Sequence, residues 1–297
     1  MSVAEVARTS SDWSDVPSLE AAVQYVTQVR SAAGTAEKLH TAASRSGVRA
    51  LLQLASELPR VEAPLSRDAG GTLIRGWFRP GRLLPWDRAP VALLQLPATS
   101  ANHLSGRSKQ ALRTNITRAT AAGLSCDVPV DEAERVDADR AISALRGHPG
   151  VPLLHDVAGG GPVARLVVVL RDPTGQPVGL SETVLDGEWA GLRTMVVAPT
   201  RSEKLGARYL LHARTVAELI DRSVTSVTVS GSMLLSSPGT RYFQRRTGFR
   251  PVWLQPVDRA QGIAAGAGQL AGPRDHAVPA PRTAMDATDV PRVSAQV

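Results

Sequence analysis

Between Ala164 and Gln255 the chain alternates apolar runs of strand length with turn signals, in an order that leaves few ways to fold. Ala164 to Leu170 is an apolar run, and Asp172-Pro173-Thr174-Gly175 after it has the composition of a reverse turn. Val178 to Leu185 forms the next run. Asp186-Gly187 then marks a hairpin leading to Trp189 to Val197. Ala198-Pro199 breaks that third strand. A helix is expected from about Ser202 to Arg222, where Leu205, Tyr209, His212, Val216 and Leu219 recur at helical spacing. Val224 to Ser230 is rich in β-branched residues and reads as a strand. Ser237-Pro238 has the form of a helix N-cap followed by proline at the first helical position. The short helix that follows ends at Gly248, and Phe249 to Gln255 completes the series as a strand.

The first half is less patterned. Ser18 to Leu58 shows two stretches of helical spacing, one on Leu19, Val23, Val26 and Val29 and one on Val48, Leu51, Leu52, Leu54 and Ala55, closed by Pro59 and Pro64. Thr72 to Phe78 and Val91 to Leu96 read as short strands joined through the turn-like Arg79-Pro80-Gly81-Arg82. Ser105 to Gly123 reads as one amphipathic helix with Leu112, Ile116 and Ala119 on a face, Ser105 or Ser108 as N-cap and Gly123 at the left-handed C-terminal position. Asp131 to Leu145 is a second, acidic helix, and His148 to Gly161 a loop. From Pro256 onward the chain is Ala-, Gly- and Pro-rich with few large apolar residues, so a disordered tail is expected.

Composition narrows the chemistry. The 297 residues suffice for one large or two modest domains. Aromatic residues are 4% of the chain, so the core must be built of Val, Leu, Ile and Ala. A single cysteine, Cys126, excludes an internal disulfide and a Cys-rich zinc site, and with no His beside it in sequence it reads as structural. The acidic run Asp131, Glu132, Glu134, Asp137 and Asp139 reads as helix surface; no metal is expected. No secretory signal and no apolar stretch long enough to span a bilayer is present, which points to the cytoplasm. The net charge is +7, carried almost wholly by arginine, since lysine occurs only at positions 38, 109 and 204. Such a balance suits an anionic partner, but Arg-rich, Ala-rich, Lys-poor usage is also what a GC-rich genome produces.

Three segments within the strand series carry a family resemblance. These are Leu192-Arg193-Thr194-Met195-Val196-Val197-Ala198-Pro199, then Arg201-Ser202-Glu203-Lys204-Leu205-Gly206-Ala207, then Tyr242-Phe243-Gln244-Arg245-Arg246-Thr247-Gly248-Phe249. In order and spacing they resemble the GNAT N-acyltransferase superfamily. There a strand ending in Val-x-Pro leads into a Gly-containing turn, and a helix N-terminus cradles the pyrophosphate of acyl-CoA. Free backbone N–H groups and the positive end of a helix dipole make such an anion site. The resemblance implies that Met195, Val196 and Val197 align the pantetheine, and that Arg201, Lys204, Leu205, Gly206 and Ala207 hold the phosphates. Two departures stand out. Lys204 replaces the first glycine of the turn, and Gln244 stands where the family often carries the tyrosine that protonates the departing thiolate. Tyr242 is two places away, on a different side of a helix.

The segment Leu104 to Gly123 looks like the basic helix that precedes the GNAT-like half of FemABX-like and acetyltransferase-6-type proteins. On that helix Arg107 and Arg118 fall on one edge and Lys109 and Arg113 on the other, either as a solvated face or as an anion-binding surface for RNA or tRNA. An amine acceptor needs a general base unless alignment suffices. Glu182, in an otherwise apolar strand, is the better candidate; His212 on the long helix reads more simply as packed. The expected fold is α/β (α+β), with a GNAT-like, mixed but mostly antiparallel sheet flanked by helices. Its organisation is an N-terminal helical region (1–60), a segment with the basic helix (61–160), an acyltransferase core (161–255) and a tail (256–297). The expected activity is transfer from acetyl-CoA or another acyl-CoA to a small-molecule or peptide amine. The GNAT-like resemblance implies acyl-CoA and the FemABX-like one aminoacyl-tRNA, and the chain is short for two full GNAT-like halves. The rival reading is a degenerate, non-catalytic core in an RNA-binding or adaptor module.

Overall fold

The structure is a computed structural model that describes residues 16–78, 90–147, 163–198 and 206–259. Eight strands form one sheet in the order β1-β8-β2-β7-β6-β5-β4-β3. The series read from the sequence is present. β4 (Arg165–Arg171), β5 (Pro177–Asp186) and β6 (Trp189–Val197) form an antiparallel meander. Asp172 organises the first turn, its Oδ1 accepting from the Thr174 and Gln176 amides. Gly187 makes the hairpin at φ 62°, a conformation open to glycine. β7 (Ser226–Val229) lies parallel to β6. Helix α9 (Pro238–Thr247) is capped by Ser237, which accepts from the Thr240 amide as expected, and β8 (Arg250–Asp258) follows.

One face of the sheet carries α1 (Ser18–Ser31), α6 (Gln110–Ala121) and α8 (Ala207–Asp221) over Leu94, Leu166, Val168, Leu170, Leu192 and Val227. The other face carries α7 (Glu132–Leu145) over Val167, Val169 and Leu180, and a helix at Ala69–Trp77, here α4, over Val91, Leu93, Val184 and Val252. Strands contribute to both layers because alternate side chains point to opposite faces. α2 (Thr35–Ala42) and α3 (Arg45–Glu57) complete the N-terminal helical part, and α2 buries none of its residues.

Four expectations are corrected. Thr72 to Phe78 is not a strand but most of α4. Gly70, Gly71 and Ile74 are its buried residues and Trp77 packs beside Ile74, a helical spacing that the β-favouring composition masks. The two glycines let the helix close on the chain, since a Cβ would lie 2.4 Å from Leu185 O at Gly70 and 2.4 Å from Ser66 O at Gly71. Pro64 does not end a helical region; it lies in β1 (Arg60–Leu65), which pairs in parallel with β8. Ser105 to Gly123 is not one helix. α5 (Ser100–Leu104), capped by Thr99, is followed by Gly106 at φ 87° and a 3-10 turn at Arg107–Lys109, and α6 starts at Gln110 with no side-chain cap. Gly123 does take the left-handed position, at φ 80°. Finally, Pro256 to Asp258 belong to β8 rather than to a tail. Past Val252 that strand has, among the described residues, β1 alone as neighbour, where a proline is tolerated, and the Asp258 carboxylate receives Arg67 and Arg75.

The acidic helix, α7, starts one residue later than expected because Asp131 is its cap, accepting from the Glu134 amide at 2.8 Å. The Arg79–Arg82 turn, the loop from His148 to Gly161 and the tail beyond 259 lie outside the described residues. No helix among the described residues is long and apolar enough to cross a membrane.

Candidate active site

β6 and β7 part company near their C-terminal ends. Their pairing runs from Trp189↔Ser226 to Leu192↔Val229. It is closed by Ser230, whose amide donates to Leu192 O at 3.0 Å and whose hydroxyl donates to Arg193 O at 2.9 Å. Gly231, at φ 98°, then turns the chain away into the 3-10 turn Met233–Leu235, while β6 continues to Val197. A bulge in the β5–β6 register between Glu182 and Thr183 bends β6 at the same level. The outcome is a cleft of about 370 Å³ whose floor is Met195, Val196 and Val197. These are three of the residues expected to meet the donor.

The far wall is the start of α8. Gly206 lines the cleft and is the N-cap, with φ 81° and no side-chain cap bond. The Tyr209 and Leu210 amides donate back to Gly206 O at 2.9 and 3.3 Å. Because Gly206 lines the cleft at the N-terminus of the helix, the positive end of the helix dipole lies at the cleft. The helix therefore starts at Ala207, later than the expected Ser202. Glycine is required at 206 for space as well as for φ: a Cβ there would lie 2.6 Å from Asn115 O and 2.9 Å from Asn115 Cβ on α6. Arg201, Lys204 and Leu205 lie outside the described residues.

Sequence reasoning missed several residues of this cleft. Arg208, one position into the helix, and Arg146, just past α7, both line it. Arg208 follows Ala207 directly, so its place in the first turn was open to inspection; Arg146 arrives from a distant helix, and no local signal announces it. Tyr209, Gly239, Tyr242 and Phe243 complete the lining. The Arg208 guanidinium lies 4.2 Å from the Phe243 ring centroid. Gln244 is turned inward and buried, whereas Tyr242 stands 56% exposed with its hydroxyl accepting from Arg246 Nε at 3.2 Å.

Behind Phe243 lies a buried ring cluster. His212 meets Phe243 edge-on at 5.6 Å and lies 5.9 Å from Phe249 and 5.5 Å from His103. His212 is therefore packed in the interior and not on the cleft surface. Burial pushes His103 down to about 4, helped by the nearby charge of Lys109. Burial drives His212 well below the usual imidazole range, with His103, Lys109 and Arg208 adding to the effect. Both rings are neutral in the folded protein near pH 7, while the unfolded chain takes up protons below its ordinary value near 6.5. Stability is thus intact above pH 6.5 and falls as pH drops toward 4. His103 alone accounts for about 2 kcal/mol of that loss by pH 5, and His212 acts in the same direction. Urea midpoints at pH 7.5 and 5 should diverge less in His103→Gln than in the parent. Equal divergence would show that the imidazole does not drive the loss.

Glu182 lies on the opposite face of the sheet, beside the same parting of strands and paired in register with Thr194. It is fully buried, its Oε1 accepting from Arg165 Nη1 at 3.1 Å and its Oε2 lying 4.0 Å from Arg193 Nε. Of the four basic residues expected to form one surface, two have internal partners. Lys109 donates to Thr247 O at 2.8 Å, and burial together with Arg250 lowers its amine to about 8. Arg113 donates to Leu104 O and Gly106 O at 2.6 and 2.9 Å, tying α5 to the following turn. Arg107 and Arg118 are exposed. Among the described residues no group of three or more His, Cys, Asp or Glu is placed to hold a metal ion. Burial and Asp127 push the Cys126 thiol up to about 12, which keeps it protonated.

No family model matches this chain. No curated protein matches it either. Among solved structures it is similar to L-PGS from Bacillus licheniformis, at 14% identity and a TM-score of 0.40, over 63% of this chain and 66% of that one. It is also similar to a DUF2156 C-terminal domain from Agrobacterium fabrum, at 16% identity and a TM-score of 0.41, over 62% and 65%. A GCN5-related N-acetyltransferase from Kribbella flavida is 16% identical with a TM-score of 0.32, over 55% and 53%. The chain thus spans between about half and two thirds of the length of these structures. These likenesses are of low identity and low TM-score and say nothing of chemistry.

Proposed function

We propose that this chain is an N-acyltransferase that moves an acyl group from a CoA thioester to an amine. One observation carries the reading: the cleft where β6 outruns β7 is lined by the start of α8 at Gly206, with Arg146 and Arg208 beside it. A strand edge that has no ladder partner among the described residues can take the amides of an extended pantetheine. A helix start flanked by guanidinium groups suits a pyrophosphate. In this reading Met195, Val196 and Val197 align the pantetheine, and Gly206 and Ala207, with Arg201, Lys204 and Leu205 ahead of them, hold the phosphates.

The amine meets the thioester in the cleft, beside the bend of β6. Its nitrogen attacks the thioester carbonyl carbon, the carbon–sulfur bond breaks, and CoA leaves as the thiolate. The proton lost by the nitrogen passes to water, and reaches Glu182 only through water because that carboxylate is fully buried. The thiolate takes its proton from solvent. Alignment of the two reactants supplies most of the acceleration. With Gln244 buried, no side-chain acid is assigned to the thiolate.

Calorimetric titration tests the donor site. Acetyl-CoA is expected to bind with a dissociation constant of about 1 μM to 1 mM, the range of ordinary enzyme substrates. Arg208→Ala should weaken it roughly tenfold through loss of a charge-assisted contact. Absence of binding by the parent protein overturns the acyl-CoA reading and makes aminoacyl-tRNA the next donor to try.

A further inference from the structure

Among the described residues Tyr242 is the one aromatic side chain more than half exposed, at 56%. In a chain with three tyrosines and three phenylalanines this is a costly use of a scarce residue. Its place is not arbitrary. It stands on α9 at the mouth of the cleft, one turn after Gly239 and one turn before Arg246. Helical side chains lean toward the helix N-terminus, so the Tyr242 ring inclines over the turn that begins at Gly239. A Cβ at Gly239 would meet nothing among the described residues nearer than Ser237 Oγ at 4.0 Å, which leaves room on that side. On the other side Arg246 places its guanidinium 5.2 Å from the ring centroid and its Nε 3.2 Å from the hydroxyl, a contact that backs the ring.

A flat ring braced on one side by Arg246, in a cleft that Arg146 and Arg208 also line, is suited to stacking a nucleobase. An acyl chain would instead seek enclosed apolar surface, and the arginines at this mouth do not offer it. Resting on the acyl-CoA reading above, we infer that Tyr242, backed by Arg246, is the platform on which the purine base of the donor stacks. The donor then runs outward in one line, with pantetheine on Met195 to Val197, phosphates at Gly206 and Arg208, and base on Tyr242. Tyr242 is thereby a donor-binding residue and not a substitute for the thiolate's proton donor.

Three probes separate the parts of the donor: acetyl-CoA, adenosine bisphosphate (base and phosphates), and phosphopantetheine (phosphate without base). Each is titrated into the parent protein, Tyr242→Ala and Tyr242→Phe, with circular dichroism and thermal unfolding as controls on the fold. Tyr242→Ala is expected to weaken acetyl-CoA and adenosine bisphosphate about tenfold each and to leave phosphopantetheine unchanged. Tyr242→Phe is expected to bind all three as the parent does and to keep the parent's pH–rate profile. Unchanged acetyl-CoA binding in Tyr242→Ala overturns the platform alone. So does equal loss of phosphopantetheine, or a loss in Tyr242→Phe as large as in Tyr242→Ala. A parent protein that binds no acetyl-CoA removes the donor reading and the platform together.

Discussion

Alanine at position 206 is expected to lower the stability of this protein by about 3 kcal/mol, together with its affinity for acetyl-CoA. Two penalties combine. A φ of 81° costs a residue with a Cβ about 1–2 kcal/mol. The added carbon would also press against Asn115, whose backbone oxygen lies 2.6 Å away. Asn115 cannot swing clear cheaply, because its side-chain amide donates to Ala111 O at 2.8 Å within α6. Separating α6 from α8 to make room is an overpacking of the kind that costs about 1–3 kcal/mol. The same displacement tilts the first turn of α8 away from the cleft. Urea unfolding and calorimetry on Gly206→Ala would test both effects. A midpoint like that of the parent would show that the approach of the two helices is softer than the geometry implies.

Glu182→Gln is the second large effect. The carboxylate is fully buried and answers the charge of Arg165 at 3.1 Å, with Arg193 at 4.0 Å. Removing one partner of a buried pair leaves the other without its counter-charge, which costs about 3 kcal/mol or more. Combining Glu182→Leu with Arg165→Leu should recover much of the loss, because the pair is then replaced by apolar bulk. Turnover separates the structural role from the catalytic one. A Gln variant that keeps its unfolding midpoint but turns over about a hundredfold more slowly identifies a general base. A variant that unfolds easily, yet turns over normally per folded molecule, identifies a brace for the sheet and ends the case for Glu182 as the base.

Much of the second half was legible because its signals are local. The Asp172 turn, the glycine at 187 and the Ser237-Pro238 cap each act within a few residues of themselves, so the strand and helix order around them could be read directly. The first half depends on distant partners. β1 contains a proline, and its alternation becomes a strand only because β8 lies beside it. α4 has strand-favouring residues and is a helix because the space over β5 admits Gly70 and Gly71 with almost nothing between them and the backbone. The site divides in the same way. Met195 to Val197 and Gly206 follow from a strand leading into a helix. Arg146 reaches the cleft only through tertiary packing. Lys109 and Arg113, which resemble a free basic surface in the sequence, find their acceptors in chain segments that periodicity cannot place.

The parallel pairing of β1 with β8 has a consequence for synthesis. β1 is made early, but the strand that completes it is close to the last part of the described chain to leave the ribosome. Until then the early segment has an unsatisfied strand edge, a surface that nascent chains can use to join one another. Such a distant pairing also makes for slow closure of the sheet. Chaperone demand during expression, and the yield of soluble protein from chains cut short of Arg250, should therefore depend on this one ladder more than on anything in the cleft.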